Sequence, residues 1–279
     1  MKFELGCELE YSVASSSTFI FNICAVENEY QKIIEQNFQI EPDCSREEYK
    51  VPHVENSYFR LVAPEGKLKI AYQATVELEH DLDNLSEIDE IPPTDIPLDI
   101  IPYLYPSRYC QSDRLMKLAQ DEFGDCQPGY ARVQAICDWI HDKIDYISGS
   151  SDSQTSAYDT ATERAGVCRD FAHLGITFCR ALDIPARFVS AYAWQLQPPD
   201  FHACFEAYLG GKWYLFDATR LAPREGLVRI GTGRDAADVA FATIFGEAQL
   251  ENMQVYINNL DNQSVKTQQQ AIATSYGSV

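Results

Sequence analysis

The segment from Phe201 to Phe216 limits the fold more than any other part of the chain. Two apolar-rich runs, Phe201 to Leu209 and Lys212 to Phe216, flank the pair Gly210-Gly211, which predicts a two-residue β-hairpin with antiparallel strands. If Leu209 faces Lys212, then Asp217 lies opposite Cys204. His202 becomes its diagonal neighbour on the same face, roughly 7 to 8 Å away between backbones. That separation suits an imidazole–carboxylate hydrogen bond. A one-residue slip would send the two side chains to opposite faces, so the parity of the spacing is informative.

Upstream runs Gly166-Val167-Cys168-Arg169-Asp170-Phe171-Ala172-His173. Gly166 can end the preceding element, and Phe171, Leu174, Phe178 and Leu182 then fall at helical steps, predicting a helix over 168–182. Cys168 belongs to its first turn, where unpaired backbone N–H groups and the positive helix end favour an anion. A thiol attacks as thiolate; it needs such a dipole or a base, and the base needs an orienting carboxylate. Cys168, His202 and Asp217, in that order along the chain, offer all three parts. The backbone N–H of Cys168 is a natural oxyanion donor. The second donor cannot be read off; Tyr158 and Gln154 are polar upstream residues that could supply it. His173, five residues past Cys168, lies well round the helix from the thiol and reads as structural. Arg169 and Asp170 read as a local ion pair or pocket rim, and Arg234-Asp235 as the start and cap of a helix.

The order Gly-Val-Cys-Arg-Asp, a His at a strand start, and Phe-Asp-Ala-Thr on the next strand resembles the transglutaminase-like superfamily of papain-like thiol enzymes. The likeness is to bacterial transglutaminase-like cysteine proteases with an N-terminal β domain. It extends to Thr160-Ala161 and to Gly233-Arg234-Asp235-Ala236-Ala237-Asp238, and covers about Ser107 to Leu250. It implies Cys168 as nucleophile, His202 as general acid/base and Asp217 as the group orienting the imidazole. The implied substrate is a peptide or protein amide, attacked to give a thioester. Water would then make the chain a cysteine peptidase or amidase, the favoured outcome in the absence of calcium-site motifs; an amine would make it a protein-glutamine transglutaminase. A non-catalytic binding or scaffold module is a reading of another class. No cofactor and no metal is implied.

The fold class expected is α+β. An N-terminal antiparallel β-sandwich (residues 1–90) precedes a Pro-rich connector (91–106) and a transglutaminase-like, papain-like domain (107–261). There the nucleophile stands at a helix N-terminus packed on an antiparallel sheet. A polar, poorly ordered tail (262–279) ends the chain. Strands are predicted for Phe3 to Val13, Thr18 to Val26, Tyr58 to Ala63 and Leu68 to Leu78. Helices are predicted from Ser112 to about Phe123, between Tyr130 and Tyr146, and from Ala236 to Leu250, before a last strand at Met253 to Ile257. Ser148 to Thr155 reads as a mobile loop that could gate access.

The formal charge of −20 argues against nucleic acid. Residues 1–100 hold 21 acidic against 7 basic side chains, so the N-terminal part carries most of it. Nine cysteines without paired spacing speak against a disulfide framework and for a reducing compartment. No apolar run is long enough to span a membrane. No signal-peptide pattern precedes Leu5-Gly6-Cys7, so the cytoplasm is the expected location. Oligomeric state is not readable.

Overall fold

A computed structural model describes residues 1–52, 54–261 and 270–276. Strands come first: β1 (Lys2–Val13), β2 (Ser17–Phe21), β3 (Gln31–Glu41), β4 (Arg46–Lys50), β5 (Ser57–Ala63), β6 (Gly66–Leu78) and the short β7 (Asp81–Asp83). Helices α1 (Ser112–Phe123), α2 (Tyr130–Lys143), α3 (Ala157–Glu163) and α4 (Cys168–Ala181) follow, with two-residue strands β8 (Asp145–Tyr146) and β9 (Ala165–Gly166) on either side of α3. The rest is β: β10 (Ala186–Ala193), β11 (Phe201–Leu209), β12 (Lys212–Phe216), β13 (Leu227–Gly233), β14 (Ala242–Phe245), β15 (Ala248–Asn259) and β16 (Ala271–Tyr276).

The N-terminal part is a sandwich of two four-stranded sheets, ordered β15-β1-β6-β3 and β14-β2-β5-β4. Alternation along β1 turns Phe3, Leu5, Cys7, Leu9 and Tyr11 inward, where they meet Phe19, Phe21 and Phe59 from the facing sheet. In the second part a six-stranded sheet, β13-β10-β11-β12-β16-β7, carries the helices on one face. Phe205 and Ala207 of β11 and Tyr214 and Phe216 of β12 pack against Phe171, Leu174 and Phe178 of α4.

The two parts pack against each other, since Tyr192, Val228 and Ile230 of the large sheet join the sandwich cluster. The sheet edge at β13 is closed by two buried amides. Gln31 bonds the Arg229 carbonyl (2.8 Å) and N–H (2.8 Å), and Asn56 does the same at Thr232 (2.7 and 2.8 Å). They replace the partner strand that an edge otherwise lacks.

The predicted hairpin forms. Gly210 and Gly211 have φ of 54° and 91°, as a type I′ turn requires, and β11 pairs β12 with Leu209 opposite Lys212 and Phe205 opposite Phe216.

Three boundaries differ from expectation. The stretch 236–250 holds a single 3-10 turn, Ala236–Asp238, and then strands, because Ala242-Thr-Ile-Phe245 presents β-forming residues to β2 and Gly246 at φ 142° turns the chain into β15, which pairs with β1. Residues 242–259 therefore complete the N-terminal sandwich rather than the second domain, and β7, inside the span 1–90, belongs to the large sheet. Within the expected polar tail, Ala271–Tyr276 is a strand between β12 and β7. Its alternation seats Ala271 and Ala273 on the helix side and Ile272 on the other. The remainder of that tail, 262–269 and 277–279, lies outside the described residues. Strands β3 and β4 were not anticipated; β4 (Arg-Glu-Glu-Tyr-Lys) is exposed along its whole length and shows no apolar alternation.

Candidate active site

Helix α4 begins at Cys168, with Val167 as its extended N-cap residue. The flanking motif builds this start. Asp170, buried, accepts a hydrogen bond from the Val167 N–H (2.9 Å), occupying one end of the first turn. Gly166 makes room for it: a methyl there would lie 2.8 Å from the Asp170 Cβ. Arg169 pairs with Asp170 (3.5 Å) and donates to the Asp152 carbonyl, tying the 148–155 loop to the helix start. Asp152 also caps its own loop by accepting from Gln154 and Thr155. Two turns further along, α4 closes on the sheet at Gly175, where a methyl would meet the Phe205 ring at 2.5 Å. That close approach sets the height of Cys168 over β11.

His202 lies at the start of β11, its side chain fully buried, and its Nε2 is 2.8 Å from Asp217 Oδ2. Asp217 follows directly on β12 and is held from its other oxygen by the Thr219 N–H (2.9 Å) and hydroxyl (2.8 Å). The second imidazole nitrogen, Nδ1, is buried without another partner, and the Cys168 thiol is close enough to act on the ring. Burial works against a charged imidazole, but the charge and hydrogen bond of Asp217, joined by Cys168, outweigh it and hold His202 up to about 10. Asp217 is correspondingly held below the usual carboxylate range: burial opposes its ionisation, and His202 and Thr219 overcome that. The arrangement keeps a protonated imidazole beside a thiol at neutral pH, the requirement for a thiol nucleophile with a proton donor at hand.

The structure thus brings Cys168, His202 and Asp217 together. The two upstream polar residues have partners of their own. Gln154 accepts from Arg108 (3.2 Å), and Tyr158 lies under the Arg114 guanidinium, 3.6 Å from its ring centroid. His173 is buried and stacked on Tyr109, and its Nε2 accepts from the Ala236 N–H (3.1 Å). Burial drives it well below the ordinary histidine value, so it is a neutral structural acceptor. Asp235 caps the 3-10 turn through the Ala237 N–H (2.9 Å) and also accepts from the Tyr109 N–H, while Arg234 pairs with Asp238. Sequence reasoning missed Thr219. The Asp-Ala-Thr spacing, which lets an Asp accept from the backbone two residues on, is the signal that identifies it.

Six cysteines besides Cys168 are buried, and Cys44, Cys126 and Cys168 itself are partly exposed. Burial pushes Cys7 up to about 11 and Cys24 and Cys110 up to about 12, and raises Cys137, Cys179 and Cys204 as well. Among the described residues no three His, Cys, Asp or Glu side chains cluster as a metal site, and no helix is long and apolar enough to cross a membrane.

A profile of the Transglutaminase-like superfamily matches residues 116–218, and one of the Bacterial transglutaminase, N-terminal domain, matches residues 1–98. A solved structure described as a candidate cysteine protease from Cytophaga hutchinsonii shares 49% sequence identity, covers 99% of this chain and 98% of its own, and superposes with a TM-score of 0.94. The chain belongs to the transglutaminase-like superfamily. Its α+β architecture is the transglutaminase-like fold with an N-terminal β domain. Among curated proteins, an uncharacterized protein of Mycobacterium leprae is 36% identical over 120 residues, 39% of this chain and 42% of that protein. One of Mycobacterium tuberculosis strain H37Rv is 28% identical over 144 residues, 46% of each. The chain therefore spans less than half the length of these curated relatives.

Proposed function

We propose that this transglutaminase-like protein is a cysteine-dependent acyl transferase acting on amide bonds of peptides or proteins, with hydrolysis as its outcome. The observation that carries the reading is His202, charged at neutral pH by Asp217 and set beside Cys168 at the start of α4. The Cys168 thiolate bonds to the amide carbonyl carbon, the carbonyl π pair moves to oxygen, and collapse breaks the C–N bond as His202 gives its proton to the leaving nitrogen. Water, deprotonated by the now neutral imidazole, then resolves the thioester. Asp217 orients the ring and stabilises its charged form throughout. Likeness to the Cytophaga candidate cysteine protease favours water as acceptor. Transfer to an amine, as in a protein-glutamine transglutaminase, uses the same three residues and is the second reading. A cytoplasmic location belongs to the same proposal, supported by nine cysteines without a disulfide.

The test is brief, sub-stoichiometric iodoacetamide labelling, mapped by mass spectrometry in wild type and in His202→Ala. Label is expected first on Cys168, and more slowly in the variant at neutral pH. A peptide screen with and without amine acceptors then separates hydrolysis from transfer. Cys168 labelling no faster than Cys44 or Cys126 would sink the enzyme reading and leave a scaffold.

A further inference from the structure

A cavity of about 530 Å³ opens against Asp217, walled by Gln134 of α2, by Gln195 after β10 and by the segment that follows β12, with Arg220, Arg224 and Glu225. That segment is tied down at both ends. The Thr219 hydroxyl bonds Asp217 and accepts from the Leu221 N–H (3.2 Å), and further on the Gly226 carbonyl takes the Trp194 N–H (3.0 Å). Most charges in the wall are matched. Asp217 has His202, and Arg220 reaches Asp138 of α2, which also accepts from Gln134 Nε2 (2.8 Å). Arg224 differs. Its Nη1 donates to two neutral groups, the Tyr130 hydroxyl (2.7 Å) and the Leu215 carbonyl (3.4 Å), and Tyr130 is itself packed on Phe216, 4.6 Å between ring centroids. Among the described residues its Nε and Nη2 have no hydrogen-bond partner and no carboxylate is in ion-pair contact, although both nitrogens stay open to solvent. The opposing charge is Glu225, next in sequence and without an ion pair of its own among the described residues.

We infer that this cavity is a carboxylate-binding site anchored by Arg224. A guanidinium stays charged throughout the pH range of a folded protein, and its Nε–H and Nη2–H form the fork that takes both oxygens of a carboxylate in parallel. Here the other edge is held by Tyr130 and Leu215, so the fork is set before a ligand arrives and little side-chain freedom is lost on binding. The Arg220–Asp138 pair, half-exposed on both sides, stands beside it as a weak contact that a ligand can loosen. The carboxylate belongs to an acidic residue of the substrate chain or to a free small acid, and either presents the same two oxygens. Because Asp217 lines the cavity, a substrate held there passes the group that charges His202. Assigning the carboxylate to substrate rests on the reading of Cys168 as nucleophile; carboxylate binding itself does not.

The test is titration calorimetry at low ionic strength in Cys168→Ala, which binds without turnover, using glutarate and two capped peptides, acetyl-Ala-Glu-Ala-amide and acetyl-Ala-Gln-Ala-amide. The Glu peptide or glutarate is expected to bind at least about tenfold more tightly than the Gln peptide, and adding Arg224→Gln to weaken the acid on the order of 10- to 100-fold. Glu225→Gln takes the like charge out of the wall and is expected to tighten acid binding by about threefold, which damage to the fold cannot do. Glutarate binding as tightly as the Glu peptide assigns the cavity to a free acid; preference for the Glu peptide assigns it to an acidic residue of the substrate; both sustain the inference. If neither acid binds more tightly than the Gln peptide, or if acid binding is untouched by Arg224→Gln, the inference is overturned. Circular dichroism establishes whether Arg224→Gln folds. If it does not, Glu225→Gln decides alone, and acid binding that is unchanged or weaker there overturns the inference. Because binding is read without the thiol, its failure leaves the nucleophile reading standing; that reading fails separately, in the iodoacetamide labelling of wild type.

Discussion

Replacing Asp217 with Asn keeps the shape and a hydrogen-bonding group beside His202 but removes the charge. In the wild type, burial opposes the imidazolium and Asp217 overrides it, lifting His202 from 6.5 to about 10. At ~1.36 kcal/mol per tenfold change in proton affinity, this amounts to several kcal/mol of coupling. A raised value means that the folded chain holds a proton which the unfolded chain releases between these two pH values. The contribution to stability is therefore complete below 6.5 and is lost as pH rises through about 10. Asp217, held below the usual carboxylate range despite burial, stays ionised throughout that window. In Asp217→Asn burial is opposed only by the neighbouring Cys168, so His202 gives up its proton at a lower pH than in wild type and its contribution to stability is lost earlier as pH rises. Urea unfolding followed by tryptophan fluorescence between pH 6 and 10 gives the difference between the two proteins, from which the titrations they share cancel. That difference is expected to be largest at pH 6 and to shrink steadily towards pH 10. At pH 7 the same variant is expected to label at Cys168 about 10²-fold more slowly. A flat difference, or a His202 that still titrates near 10 by NMR in the variant, would refute the coupling.

Gly175→Ala sets the Phe205 ring against a methyl at 2.5 Å; a helix-propensity gain of ~1 kcal/mol is outweighed by overpacking of about 1 to 3 kcal/mol. Net destabilisation in urea is expected, with Gly175→Ala/Phe205→Leu less unstable than the two single losses added. Gln31→Leu strands the Arg229 N–H and the Val26 carbonyl, while the Arg229 carbonyl keeps its bond from the Val26 N–H, and is expected to cost about 2 to 4 kcal/mol in the same assay. Asn56→Leu, which strips one N–H and one carbonyl of Thr232, is expected to cost somewhat less. In Cys44→Ser/Cys126→Ser, brief iodoacetamide treatment in native buffer is expected to leave a single modified site, because the remaining six cysteines besides Cys168 are buried; a second early site would contradict the burial described for them.

Local pattern made the hairpin and α4 legible: their signals are a Gly-Gly turn and a three- and four-residue apolar rhythm, both written within a few residues. The pairing of His202 with Asp217 followed from strand parity alone. The return of β14 and β15 to the sandwich was not legible, because their partners β2 and β1 lie more than 200 residues earlier and nothing local to Ala236–Leu250 names them. The Ala-rich start of that stretch favoured a helix; cross-strand pairing overrode the propensity. Strand β16 was hidden for a related reason, its six residues being small and following a polar run. At the site, the residue that anchors Asp217 was written as Asp-Ala-Thr.

Within Gly166-Val-Cys-Arg-Asp170, the residues around the cysteine serve the helix start. Gly166 exists for the space Asp170 needs, Asp170 for the Val167 N–H, and Arg169 for Asp170 and the Asp152 carbonyl. The consequence is a helix start whose N-cap N–H is claimed by the motif itself. The loop before α3 is pinned to that same start through Arg169. Arg169 thereby links the 148–155 loop to the turn that carries Cys168. The motif is an arrangement for holding one backbone turn still, beside which the hairpin carries His202 and Asp217 three and one residues from its last pair, Phe205 opposite Phe216.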